Sequence, residues 1–329
     1  MTIEVCFYIH GVSQDQVGAS HRGTYRVLHE GIQAQLPSGS VWPTEFDGAE
    51  WGWNYDGGLA ESHKALVDAQ RVFGGQVMDD ISAQRDLTVN PLRWVLGGMR
   101  GLMFHGFGDM FYYVSKDGKW AVRYAVATQL AEHVQHRRGD SGFKPSTAAD
   151  NERAISLTLL GHSAGAVVAF DFAYYLFNDR KEMFSNAGTE SAGTQFVNDK
   201  RLEEARTGLD YLRTLVKSGQ MRIRRLVTFG APISMVMFRN DALVELLARG
   251  ETIDPADYGL ESSLKGESLD GPRWINIWDK DDPIAWPVEP AVRSPLVKDL
   301  HVDVSDSIAN AHNKYWASRK CQNVIAEHW

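Results

Sequence analysis

The chain reads as an α/β protein: a mostly parallel central sheet covered by helices on both faces. Three observations carry this expectation. Strand-like runs alternate with helix-like ones throughout, the pattern of repeated strand–helix–strand units. Several strand-like runs, such as Ile155-Ser156-Leu157-Thr158-Leu159-Leu160, are short and largely aliphatic, like strands buried on both faces. The length of 329 residues, 43% hydrophobic and 23% charged, suffices for one large domain over residues 1–329 with insertions.

The elements follow in order. Glu4 to Ile9 is the first strand; it lacks the basic stretch and small-residue cleavage site of a signal peptide. A helix carrying Tyr25, Leu28 and Ile32 on one face leads to a second strand, Val41 to Phe46. Ala60 to Arg85 and Trp120 to His136 read as helical. Ile155 to Leu160 is a strand, and the helix after it runs from Ala166 to Phe177 with neither Gly nor Pro. Strands at Ile223 to Phe229, Trp274 to Trp278 and Val297 to Val304 complete the sheet. Polar, turn-rich stretches at Arg137–Asn151, Asn178–Asp199 and Gly250–Gly271 read as loops. Insertions into the domain are expected near 86–136, 178–200 and 240–271.

Composition narrows the function. The net charge is -8, the pI is about 5.8 and no basic block stands out, which argues against a nucleic-acid partner. Cys6 and Cys321 form no metal-type pair and no disulfide framework; they read as buried thiols of a reducing, cytoplasmic setting.

The most specific local pattern is Gly161-His162-Ser163-Ala164-Gly165, set between the aliphatic strand and the apolar helix. A strand–turn–helix context around Gly-x-Ser-x-Gly is that of a nucleophile elbow, whose tight turn leaves room for glycines alone beside the serine. A serine hydroxyl is a weak nucleophile near neutral pH. It needs a histidine to take its proton and a carboxylate to orient that histidine. The elbow resembles that of the α/β-hydrolases, and the resemblance implies that these follow the serine in the order acid, then histidine.

For the acid, Trp274–Ala285 is a strand ending in an acidic turn, and functional groups of such sheets sit at the carboxyl ends of strands. Asp282 ranks first because Pro283 holds its predecessor extended; Asp279 ranks second and Asp281 third. For the base, His312 lies in a loop position after the last strand and before the last helix. His301, within that strand, is the reserve, and His328 sits in a terminal region that usually frays. An oxyanion needs backbone N–H donors, each worth roughly 3 kcal/mol. The expected donors are Ala164, next to the serine, and Val12 in the turn Ile9-His10-Gly11-Val12-Ser13.

Together these pieces resemble the α/β-hydrolase superfamily, on its lipase and esterase side. Val227-Thr228-Phe229-Gly230-Ala231-Pro232 is similar to the Thr-Phe-Gly-Ser-Pro strand end of many lipases. Asp282-Pro283-Ile284-Ala285 and His312-Asn313-Lys314-Tyr315-Trp316 resemble elements of DDHD-type phospholipases and related bacterial hydrolases. The chain has no Asp-Asp-His-Asp element, so the resemblance is to the superfamily. It implies a triad of Ser163, Asp282 and His312 that cleaves small-molecule or lipid esters through an acyl-enzyme, with no metal or organic cofactor. Thioesterases and acyltransferases use the same triad, and the scaffold also occurs in proteins without catalysis.

Two further expectations follow. Residues 91–114 are strongly hydrophobic, yet Arg93, Arg100, His105 and Asp109 interrupt them, so they fail as a transmembrane span. Leu92, Val95, Leu96, Met99 and Met103 recur at helical spacing, which we read as a cap or lid helix, ahead of a membrane-surface helix and of core packing. Trp42, Trp51, Trp53, Tyr55 and Trp286 fall in or beside loops near the site and read either as an apolar acyl pocket or as core and loop packing.

Overall fold

The computed structural model of the protein describes residues 2–11, 20–51, 116–145, 153–178, 199–237, 241–264 and 271–329. The helix expected at Ala60–Arg85, the lid expected at 91–114, Val12, Trp53 and Tyr55 lie outside the described residues. Within them runs a sheet of β1 (Ile3–Ile9), β2 (Phe46–Ala49), β3 (Ile155–His162), β4 (Met221–Phe229), β5 (Trp274–Trp278) and β6 (Val297–His301). The strand order is β2-β1-β3-β4-β5-β6, and every neighbouring pair is parallel.

The helices in chain order are α1 (Arg22–Gln33), α2 (Lys116–Arg138), α3 (Ala164–Phe177), α4 (Asp199–Lys217), α5 (Ile233–Met237), α6 (Asp241–Ala248), α7 (Glu289–Val292), α8 (Ile308–Lys314) and α9 (Arg319–Glu327). From β1 the chain moves to one edge to form β2, then returns past β1 and builds β3 to β6 toward the other edge. Right-handed crossovers require that helices serving opposite directions of travel cover opposite faces. The two cores obey this. Tyr25, Leu28 and Ile32 of α1 pack with Tyr315, Cys321 and Ile325 on one face. Leu130 of α2, Phe172 of α3 and Leu209 and Leu212 of α4 pack on the other. β3, in the middle, is buried at all of its positions, which is why its sequence does not alternate.

β2 lies downstream of its expected place. Val41 is 73% exposed, Trp42 packs edge-on against Trp329 with ring centroids 4.3 Å apart, and Pro43 has no N–H for a ladder. Pairing begins at Phe46, opposite Cys6, and ends at Ala49, opposite Ile9. The strand carries Asp47 and Gly48, residue types depleted in strands, so propensity conceals it. Gly48 is there for space: a Cβ would lie 2.4 Å from Tyr25 Cε2 and 2.6 Å from the Tyr8 carbonyl oxygen.

Other boundaries also shift. β6 stops at His301 rather than Val304, whose N–H turns in to Asp279 Oδ2 at 2.6 Å. α4 is a helix that the sequence reading does not single out; Leu202, Ala205, Leu209 and Leu212 form its buried stripe among many charges. Gly208 of α4 sits against Ala131 of α2, letting the two helices approach closely. The polar stretch after α2 begins with the helix's own last residues, and the expected insertion at 240–271 holds α6 and a short 3-10 helix, Pro255–Tyr258. Tyr258 there stacks on Phe170 of α3 at 4.3 Å. Cys6 and Cys321 are unpaired and buried; burial raises both thiols, Cys321 to about 12. Among the described residues, no helix is long and apolar enough to cross a membrane.

Gly48→Ala is expected to destabilise the fold by about 1–3 kcal/mol through overpacking against Tyr25. Gly23→Ala, in α1 with nothing within 4 Å of the new methyl, is expected to stabilise it by up to about 1 kcal/mol. Urea unfolding of the two variants measures both.

Candidate active site

Ser163 is the single residue between the end of β3 and the start of α3. Its φ of 54° and ψ of -125° are unusual for a residue with a Cβ. The strained turn is held from both sides. The Ser163 N–H donates to the Phe229 carbonyl at 3.1 Å, and the Ala166 N–H donates to the Ser163 carbonyl at 3.0 Å. Three glycines make room. A Cβ on Gly161 would lie 2.6 Å from Ala166 Cα, one on Gly165 would lie 2.2 Å from the His10 carbonyl oxygen, and one on Gly11 would lie 2.7 Å from Ser163 Cβ. The turn is thus pressed against the end of β1, where the direction of strand addition reverses. Open α/β sheets bind their ligands at such switch points.

Two distant segments meet the serine there. His312 of α8 places Nε2 2.8 Å from Ser163 Oγ and Nδ1 2.9 Å from Asp282 Oδ2. A carboxylate only accepts, so Nδ1 carries the proton and Nε2 accepts from the serine hydroxyl. The Asp282 Oδ1 accepts from the Ile284 N–H at 3.0 Å. All three side chains are buried, Ser163 at 6%, His312 at 4% and Asp282 at 3% exposure. Burial by itself would raise the Asp282 carboxyl; the hydrogen bond and charge of His312 and the Ile284 N–H outweigh it and hold the group below its ordinary range.

The competing residues do other things. Asp279 is fully buried, but its oxygens accept from the N–H groups of Asp281, Val304 and Ser305 and so shape the turn. Asp281 lies 3.8 Å from Lys280 Nζ. His301 ends β6, stacked edge-on against Trp278 at 4.9 Å, and His328 Nδ1 pairs with the Val324 carbonyl. His312 itself lies in a short helix rather than the expected loop. Ala164 opens α3, so its N–H is one of those a helix start leaves without an intrahelical partner. Val12, the other expected donor, follows Gly11 but lies outside the described residues.

The aromatic residues divide. Trp51 donates its indole N–H to the His10 carbonyl at 3.0 Å and stacks on the His10 ring, and Trp42 donates to His29; both pack the interior. Trp286 is 47% exposed.

Sequence reasoning assigned no role to His162, His21 or Glu50. His10, His21 and Glu50 bring ligand-type atoms within 4.8 Å of one another. The two imidazoles stack at 3.6 Å and 10°, so their lone pairs lie in separate, nearly parallel planes, and His21 Nδ1 pairs with Glu50 Oε2 at 3.0 Å. That is the geometry of a hydrogen-bonded stack. A second acidic group, Asp279, His301 and Asp303, includes Asp303 in an ion pair with Lys280 at 2.5 Å.

Burial lowers four imidazoles: His10 well below the usual range, His29 to about 4, His162 to about 3, and His133 below its ordinary value. Below pH about 6.5 the unfolded chain takes up protons that the folded chain refuses, so this stability is complete above 6.5 and is lost as the pH falls. Each such group adds at most about 1.4 kcal/mol per pH unit. Urea unfolding between pH 7.5 and 5 is expected to show that decline, with a shallower slope in His29→Gln.

No protein-family model matches the chain, and no curated protein matches it. A solved structure, that of an uncharacterized protein from Pseudomonas aeruginosa, is similar with a TM-score of 0.30 and 15% identity over 99% of this chain. The chain spans 45% of the length of that structure.

Proposed function

We propose that the protein is a serine hydrolase of the α/β-hydrolase type, cleaving carboxylic esters through an acyl-enzyme on Ser163. The observation that carries this reading is the unbroken relay from Ser163 Oγ to His312 Nε2, 2.8 Å, and from His312 Nδ1 to Asp282 Oδ2, 2.9 Å. A six-stranded parallel sheet with that relay at its carboxyl edge supports it further.

The chemistry then runs on groups of the chain and water. Ser163 Oγ attacks the ester carbonyl as His312 Nε2 takes its proton, and Asp282 stabilises the imidazolium. The tetrahedral oxyanion accepts from the Ala164 N–H and, by position in the sequence, from Val12. Collapse breaks the C–O bond, and the leaving alkoxide takes the proton from His312. Water, deprotonated by the same nitrogen, attacks the acyl carbonyl; collapse breaks the bond to Ser163 Oγ, which takes the proton back from His312 as the carboxylic acid leaves. The buried, unpaired Cys6 and Cys321 fit a cytoplasmic setting.

A fluorophosphonate probe is expected to label the wild-type protein and leave Ser163→Ala unlabelled, with p-nitrophenyl butyrate hydrolysed by the former alone. Labelling that persists in Ser163→Ala refutes this nucleophile. Asp282→Asn, which changes the tautomer available to His312, is expected to lower kcat by about 10³–10⁴-fold with little change in KM. Steady-state kinetics of the purified variant measures it.

A further inference from the structure

His162 shares the turn with Ser163, yet the relay does not include its side chain. The ring is 6% exposed and leaves the turn to reach the segment bearing His312. His162 Nε2 lies 2.8 Å from the backbone carbonyl oxygen of His312, 150 residues away in the chain. A carbonyl only accepts, so Nε2 carries the proton and donates it. Burial first, then the neighbouring His312, pushes the His162 pKa down to about 3, which leaves the ring neutral with its one N–H committed to this contact.

The ring is wedged as well as bonded. Its centroid lies 4.9 Å from that of His312, 5.3 Å from Phe229 and 5.5 Å from Trp316. Gly230, at φ 58°, leaves the space: a Cβ there would lie 3.1 Å from His162 Nε2 and 2.9 Å from Tyr315 Cε2. The contact adds a main-chain tie to a short segment that Tyr315, whose hydroxyl accepts from the Asp279 N–H at 3.0 Å, anchors from its other side. α8 has seven residues, too few for a helix to be stable alone, and His312 is in its last turn, where carbonyls lack partners within the helix.

We infer that His162 is a positioning residue for His312, tying the main chain that bears the imidazole to the turn that bears the serine hydroxyl. The Ser163 Oγ–His312 Nε2 distance is then set from both ends: through the side chains directly, and through the His162 N–H to the His312 backbone. This rests on the hydrolase reading of the same site.

The test compares His162→Phe, which keeps a ring and loses the donor, with His162→Gln, which keeps a donor. In His162→Phe, kcat per active site, counted by fluorophosphonate titration, is expected to fall about 10- to 100-fold with KM changed less than about twofold. His162→Gln is expected to recover a large part of that loss. Active-site titration removes any unfolded fraction from the count. Unchanged kcat per titrated site in His162→Phe, or a Gln variant no better than Phe, overturns the inference. A spectroscopic arm is independent of turnover: the downfield Nδ1 proton resonance of His312 is expected to weaken in the Phe variant and return in the Gln variant. An unaltered resonance in the Phe variant also overturns the inference. Failure of the hydrolase reading looks different, since wild-type protein would then remain unlabelled by the probe.

Discussion

Space for a single missing methyl, at Gly165, holds the rest of the site in place. A Cβ there would fall 2.2 and 2.3 Å from the carbonyl oxygens of His10 and Ile9, so the first turn of α3 rests directly on the end of β1. β1 and β3 are neighbours in parallel register, Ile9 opposite Gly161, and the two strands therefore end side by side. Gly11, two residues beyond β1, then meets the Ser163 side chain. Because the backbones are in contact, Ser163 cannot relax from its positive φ without moving a strand end, and the strain is borne by the sheet. The turn that ought to be the weakest point of the connection is clamped on every side.

The remaining two members of the site depend on how one acidic turn is divided. Asp279 and Asp282 are three residues apart and both buried, so exposure does not separate them. Partners do. Asp279 spends both oxygens on backbone N–H groups of its own turn and of residues 304 and 305, and its own N–H donates to the Tyr315 hydroxyl at 3.0 Å. It thereby joins the β5 turn to the segment that follows β6. Asp282 sets one oxygen against the Ile284 N–H and the other against His312 Nδ1. One carboxylate builds the turn, and the other faces the imidazole.

How much of this could be read from the residues varies with the physics of each element. β5 was legible to the residue, and β3, β4 and α3 nearly so, because central elements of a parallel sheet bury both faces and their sequences are apolar throughout. β2 was not, since an edge position tolerates Asp47 and needs Gly48 for packing on Tyr25, and both residue types read as turn. α4 hid its apolar stripe in a sequence crowded with lysines, arginines and glutamates. Within the site, the pairing of Ser163, Asp282 and His312 was legible because order along the chain and position at strand ends constrain it. The partner of His162 was not, since a contact between residues 162 and 312 leaves no trace in local sequence. A polar, bulky residue in a turn otherwise made of Gly, Ser and Ala was the one available signal.

The surroundings also decide where a proton from Ser163 can go. Three imidazoles cluster around the turn: His10 at the end of β1, His162 within the turn and His312 above it. Desolvation removes the first two as bases, holding His10 well below the usual range and His162 near 3, each with a ring nitrogen already paired to a backbone carbonyl. Of these three, His312 alone has a carboxylate within hydrogen-bonding distance of its second nitrogen; His10 Nε2 accepts from the Trp51 N–H and lies 4.0 Å from Glu50 Oε2. That carboxylate stays ionised because its own hydrogen bonds outweigh the burial that would raise it. The hydrogen-bond partners sort these groups: His10 and His162 each spend a ring nitrogen on a backbone carbonyl, Asp282 accepts from His312 Nδ1, and His312 Nε2 faces the serine hydroxyl.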